Sequence, residues 1–213
     1  MNELYDSKSE GYYSGVRQSL IDLIPEGPNK IIELGCAKGY TLITARQAGK
    51  AAEIVGIDIL TPEESHQRLD RYIKSESSDI VIDYPEDYFD VALCADVLEH
   101  LVNPWDAVRQ LCRYLKPGGI LIASLPNVRF YKTMMAIFLN GDFRYSEDGG
   151  ILDNTHLRFF CKKNMRSLLT SAGLEVLSSH CKMSVAQRAL TMLSGGLAEE
   201  FFVRQYTLVT RKP

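Results

Sequence analysis

The sequence predicts an α/β fold, a parallel sheet covered by helices on both sides, and two observations carry that reading. Between Lys30 and Leu125, short β-type runs alternate with longer polar-apolar stretches, the pattern of successive βαβ units. The runs themselves, IIEL at 31–34, IVGI at 54–57, VALC at 91–94 and ILIASL at 120–125, are almost unbroken apolar segments. Parallel strands buried on both faces read this way, whereas a strand with one wet face alternates.

The expected strands are Ile31 to Leu34, Glu53 to Ile57, Tyr88 to Cys94 and Gly119 to Leu125. The clearest helix runs from Pro104 to Leu115. Asn103 can cap it, Pro104 suits its first position, and Val108, Leu111, Cys112 and Leu115 make one apolar stripe. A second helix is expected over Lys163 to Ala172, ended by Gly173, with the strand LEVLSS after it. The last fifty residues then read as a helix around Val185 to Leu193, a Gly195-Gly196 break and a final strand from Phe201 to Thr210. Asn127 to Phe160 lacks clean periodicity and reads as a long irregular insertion, which in a compact domain is more often functional than idle.

A chain of 213 residues fits one domain with a continuous core, here 1–213 with the insertion at about 127–160. With 46% hydrophobic and 24% charged residues the composition is that of ordinary globular proteins, which argues against disorder. A net charge of −3 sets up no field that would gather a polyanion, so no nucleic-acid partner is expected. Five scattered cysteines without a CxxC pair suit reduced thiols. The opening MNELYDSKSEGYYSG has no basic flank before an apolar run, and Met134 to Leu139 is far short of the ~20 residues a membrane span needs, so cytoplasmic residence is expected.

The chemistry concentrates where strands end. Glu33-Leu34-Gly35-Cys36-Ala37-Lys38-Gly39 follows the first strand, and its glycines allow a tight turn and close approach of a ligand at the carboxyl end of the sheet. Its Gly-x-x-x-Gly spacing differs from the G-x-G-x-x-G of dinucleotide sites. Asp58 ends the second strand, where a carboxylate can accept hydrogen bonds from a ribose diol, or else cap a turn. Two more landmarks follow: Phe89-Asp90-Val91-Ala92-Leu93-Cys94-Ala95-Asp96-Val97-Leu98-Glu99-His100-Leu101, and Leu115-Lys116-Pro117-Gly118-Gly119 leading into ILIASLPN.

With these four motifs in this order, the chain resembles the class I S-adenosylmethionine-dependent methyltransferases, over roughly residues 11 to 180. The resemblance implies a Rossmann-like, doubly wound, mostly parallel seven-stranded sheet with an antiparallel last strand. It also implies S-adenosyl-L-methionine as cofactor, with S-adenosyl-L-homocysteine as product. By similarity, Gly35, Cys36, Gly39 and the adjoining backbone line the methionine end, and Glu33 braces the loop. Asp58 holds the ribose, and Ala95 and Asp96 contact the cofactor after the fourth strand. Ser75, Glu76 and Ser77 are the candidates beside adenine. Tyr13 and Arg17 resemble an N-terminal cover in which Arg17 meets the methionine carboxylate, or else a surface helix with one aromatic packed down. The family loop usually carries glycine where Ala37 stands, a change compatible with the site if φ there is negative.

On the acceptor side, His100 and His156 are the candidates for proton removal, since imidazole titrates near neutrality. His100 can equally cap, pack or orient a neighbour. His156 lies in Asp153-Asn154-Thr155-His156-Leu157-Arg158-Phe159-Phe160, a pattern that also resembles this subgroup. Arg158 can meet an anionic acceptor, or pair with an acid and fasten the insertion to the core. No metal site is expected from His100, His156 and a carboxylate, because no compact ligand spacing joins them. Phe130, Tyr131, Phe138, Phe143 and Tyr145 can wall a pocket, form the insertion's own small core, or make a homodimer contact. The expected activity is methyl transfer to a small-molecule acceptor, a hydroxyl of a sugar, glycan precursor or secondary metabolite. The alternative is a methyltransferase-like binding subunit without catalysis.

Overall fold

The computed structural model describes residues 15–60, 68–75, 80 and 82–213. Its elements are α1 (Gln18–Ile21), β1 (Asn29–Leu34), α2 (Tyr40–Gln47), β2 (Ala51–Asp58), β3 (Arg71–Lys74) and β4 (Phe89–Ala95). A 3₁₀ turn (Leu98–His100), α3 (Pro104–Tyr114), β5 (Leu115–Pro126), α4 (Tyr131–Asn140) and α5 (Lys162–Thr170) follow. The chain ends with β6 (Glu175–Cys181), α6 (Val185–Leu193), α7 (Glu199–Phe202) and β7 (Gln205–Arg211).

The seven strands form one sheet in the order β3-β2-β1-β4-β5-β7-β6. All neighbouring pairs are parallel except β5 with β7 and β6 with β7, so β7 alone runs against the rest. Strand order reverses between β1 and β4. The crevice beyond their carboxyl ends is therefore the switch point at which open α/β sheets bind ligands.

The unbroken apolar runs divide between two cores, because successive strand residues face opposite sides. Ile32, Val55, Ala92 and Leu121 pack on one side with Leu111 of α3 and Leu168 of α5. Ile31, Ile54, Val91 and Ile122 pack on the other with Leu20 of α1 and Leu42 of α2. Asn103 caps α3 as expected, its side chain accepting from the Asp106 amide at 3.2 Å.

Two expectations need correction. The insertion is not wholly irregular, since residues 131–140 form α4, which buries none of its side chains and so shows no core-facing stripe in sequence. The final strand does not begin at Phe201. Residues 199–202 are the helical turn α7 and the strand starts at Gln205, because Phe202 is recruited to an edge-on contact with Tyr131 rather than to the sheet. Among the described residues no helix is long and apolar enough to cross a membrane.

Candidate functional site

The loop after β1 folds against the tip of β2. The amides of Gly35 and Cys36 both donate to the Ile57 carbonyl, at 2.8 and 3.2 Å, and the Gly39 amide donates back to the Cys36 carbonyl at 2.8 Å. The Ala37 amide donates to Asp58 Oδ2 at 2.7 Å. Asp58 Oδ1 accepts from the amides of Ile59 and Leu60, at 2.8 and 3.2 Å. The carboxylate expected to face a ribose thus also locks the two strand tips together.

Glycine is required at 35 for two reasons. Its φ is +72°, and an added Cβ would lie 2.6 Å from Val97 Cγ2. The loop after β4 therefore sits directly against the loop after β1. Gly39 starts α2 in the left-handed region, and its Cβ would press Leu69. The Cys36 side chain is buried against Gly56, whose own Cβ would collide with the thiol, so only the Cys36 backbone can meet a ligand. Ala37 has φ +46°, so the condition of a negative φ is not met: it lies in the left-handed region that favours glycine. The Asp58 acceptor holds it there.

Glu33 is 2% exposed and its Oε2 has no hydrogen-bond partner among the described residues. Burial, with the Asp58 charge nearby and Arg17 opposing, pushes its carboxyl up to about 8. Burial also raises Asp58, against three amide donors that lower it. Of two neighbouring acids, the one with amide donors keeps its charge more easily, so the proton held at neutral pH resides on Glu33.

Beyond β4, Ala95 is buried and Asp96 takes φ +52°. The Asp96 amide donates to the Ser124 carbonyl, its Oδ1 accepts from the Ser124 hydroxyl at 2.8 Å and from Gln205 Nε2, and its Oδ2 pairs with Arg17 at 3.0 Å. Asp96 is a junction of α1, β5 and β7. Sequence reasoning missed Ser124 and Gln205, since nothing in a strand sequence marks which polar residue closes a loop from another strand. Arg17, the expected partner of a methionine carboxylate, here pairs with Asp96. Its Tyr13 companion lies outside the described residues, as do Glu76 and Ser77; the Ser75 amide donates to the Asp58 carbonyl.

The acceptor-side candidates do converge. The amides of Leu157 and Arg158 donate to the Glu99 carbonyl at 2.8 and 3.0 Å, pinning the insertion to the 3₁₀ turn. Asp153 shapes the approach by accepting from the amide and hydroxyl of Thr155. His100 and His156 stack edge to face with ring centroids 4.7 Å apart. His100 Nδ1 lies 3.2 Å from the Thr155 carbonyl and His156 Nδ1 lies 3.0 Å from the Ile151 carbonyl. A carbonyl only accepts, so each Nδ1 carries the proton and each Nε2 the lone pair. Burial, then the neighbouring His156, lowers His100 to about 4, which makes it a weak proton acceptor at neutral pH.

Among the described residues Arg158 meets no acid; it fastens the insertion by donating to the Val102 carbonyl and also donates to its neighbour Leu157. The aromatic cluster splits. Phe143 and Tyr145 pack with Phe159, Phe130 and Tyr131 pack toward Phe202, and Phe138 is 76% exposed.

A doubly wound sheet with β7 reversed, a glycine turn after β1 and an acid ending β2 define the class I S-adenosylmethionine-dependent methyltransferase fold, whose cofactor is S-adenosylmethionine. A profile of the family described as a methyltransferase domain matches residues 5–179, and the chain belongs to that family. A ubiquinone biosynthesis O-methyltransferase of Thiobacillus denitrificans is 30% identical over 120 residues, 53% of this chain and 51% of that protein. The protein of the same name from Azoarcus sp. is 27% identical over 161 residues, 70% and 65% of the two chains. The chain thus spans about half to two thirds of these relatives. A S-adenosylmethionine-dependent methyltransferase from Archaeoglobus fulgidus shares the fold with a TM-score of 0.64 and 15% identity, covering 95% of this chain and 97% of that one. So does the [4+2]-cyclase SpnF, with a TM-score of 0.60 and 20% identity, covering 92% and 80%.

The residues present fit the cofactor. A turn that lacks side chains where a ligand must approach, an acid at the tip of β2 and a buried Glu33 oxygen with no partner among the described residues lie together at the switch point.

Proposed function

We propose that this protein transfers a methyl group from S-adenosylmethionine to a hydroxyl of a small molecule, a sugar, glycan precursor or secondary metabolite. The observation that carries the reading is the Asp58 carboxylate fixed against the glycine turn at the sheet's switch point. The relatives named as O-methyltransferases support the hydroxyl direction.

In this reading Asp58 holds the ribose, Gly35 and Gly39 admit the methionine end, and Ala95 and Asp96 close the site after β4. Cys36 contributes backbone alone. Arg17 exchanges Asp96 for the methionine carboxylate, since a guanidinium serves either partner. When bound, the cofactor supplies a methyl group on a cationic sulfur. The chain's own task is alignment, because a nucleophile held about 3–3.5 Å from its target gains most of what proximity offers. Residues 127–160 form the acceptor side of one domain. A hydroxyl that must lose its proton meets Nε2 of His100 or His156, and burial, then the neighbouring His156, makes His100 a weak acceptor.

Calorimetry with S-adenosylmethionine and S-adenosylhomocysteine tests the cofactor half: failure of both to bind at millimolar concentration removes the enzyme. Cofactor binding without product release across a panel of hydroxyl acceptors would instead favour the non-catalytic binding subunit.

A further inference from the structure

Glu99 is the most costly side chain in the acceptor region. It is 1% exposed, its Oε2 has no hydrogen-bond partner among the described residues, and its Oε1 lies 4.0 Å from His156 Nε2. An ionised carboxylate so placed is poorly compensated: burial, then Asp96, drive its pKa well up against the opposing Glu99 amide and Arg17. A buried charge is normally paired or bound to a metal. Nothing in the proposed methyl transfer requires an acid here.

We propose that Glu99, His100 and His156 form a binding site for a divalent transition-metal ion of the zinc type. One ligand atom from each residue lies within 4.8 Å of the others. Metal–ligand bonds of about 2.0–2.2 Å place tetrahedral ligands roughly 3.3–3.6 Å apart, so the widest separation need close by about 1.2–1.5 Å.

The surroundings fit the role in a second, independent way. Metal-bound histidines characteristically donate their other ring N–H to a carbonyl or carboxylate, which sets the tautomer and aims the ring. Both imidazoles here do so, His100 to Thr155 and His156 to Ile151. Each ring is thereby kept as a neutral donor with its lone pair on Nε2. A cation would also satisfy the orphaned Glu99 oxygen. Two imidazoles and one carboxylate, with no thiolate, match the His₂Glu donor sets of zinc and its neighbours better than the all-oxygen shells of calcium and magnesium. Three protein ligands leave a coordination position open. The absence of compact spacing in the sequence is no obstacle, because the Glu99 carbonyl anchors the insertion that brings His156 in. A bound ion would occupy the Nε2 lone pairs, so with the ion in place neither histidine serves as the proton acceptor; the inference stands whether or not the acceptor is a hydroxyl.

The test uses tag-free full-length protein stripped with a chelator, then titrated with Zn²⁺ by calorimetry and with Co²⁺ by visible absorption. One equivalent should bind, with a Co²⁺ spectrum free of thiolate charge-transfer bands, which separates this site from the five cysteines. His156→Gln and Glu99→Gln should each weaken binding at least about tenfold, while S-adenosylhomocysteine affinity reports that the variants are folded. Should either variant fail to fold, the wild-type protein decides alone: of its four histidines, His100 and His156 should shift in side-chain NMR spectra on adding Zn²⁺. No binding of either ion at millimolar concentration, binding unchanged in a folded variant, or NMR shifts absent from both histidines would overturn the proposal.

Discussion

The Ala37 amide donates to Asp58 Oδ2 at 2.7 Å, and this bond joins the loop after β1 to the tip of β2 across the cofactor side of the sheet. Asp58 therefore has two tasks, and its substitutions should separate them. Asp58→Ala removes an acceptor of three amides and should cost about 1–3 kcal/mol in S-adenosylhomocysteine affinity, with a loss of folding stability of similar size. Asp58→Asn keeps one acceptor oxygen and should lose less of both. Calorimetry beside thermal melts checks this, and an affinity untouched by Asp58→Ala would mean the ribose is held elsewhere.

Ala37 sits at φ +46°, where an L side chain is strained and glycine is not. Ala37→Gly should stabilise the protein by about 0.5–1 kcal/mol, the relief of strain being partly offset by the added freedom of the unfolded chain. A melting temperature raised by about 1–4 °C would register it. A lowered one would contradict the strain.

Gly35→Ala should act in the opposite sense. A Cβ there combines positive φ with a 2.6 Å approach to Val97 Cγ2, so the variant should lose about 2–4 kcal/mol of stability. Denaturant unfolding measures the loss. Because the loops after β1 and β4 must part to admit the methyl group, cofactor affinity should fall as well.

Glu33 predicts a pH dependence. Its carboxyl titrates near 8 in the fold against an ordinary 4.5, so between those values the native state holds a proton that the unfolded chain has released. Stability from this group is complete below about pH 4.5 and is lost as pH rises through 8. Measured without cofactor, Glu33→Gln should therefore gain stability relative to wild type by a few kcal/mol between pH 5 and 8. The opposite slope from His100, lowered to about 4, is common to both proteins and cancels in the comparison. Parallel stability curves for the two would count against a protonated Glu33.

Much of the cofactor side was legible in the sequence because it is built from local features. Gly35 and Asp58 lie at the ends of strands whose apolar runs declare themselves, Gly39 opens the helix after the first, and strand ends in a parallel sheet gather at one edge. Cys36 was legible as a position but not as a side chain, since its burial depends on Gly56 of the neighbouring strand. The Asp96 junction was hidden for the same reason: its partners Arg17, Ser124 and Gln205 come from three separate elements. Helix α4 went unread because it buries no face and so carries no apolar stripe to betray it.

The sequence by itself determined the parallel sheet, the helices that cover it and the Gly35 loop with Asp58 at the second strand's end, because hydrophobic period and glycine placement are local and translate directly into backbone. Only the tertiary structure decided that Ala37 takes a glycine's conformation, that Glu33 is sealed from water, and that His156 is carried from a distant insertion onto His100 and Glu99. Those outcomes depend on burial and on hydrogen bonds between segments far apart in the chain, and a residue's own neighbours in sequence carry no record of either.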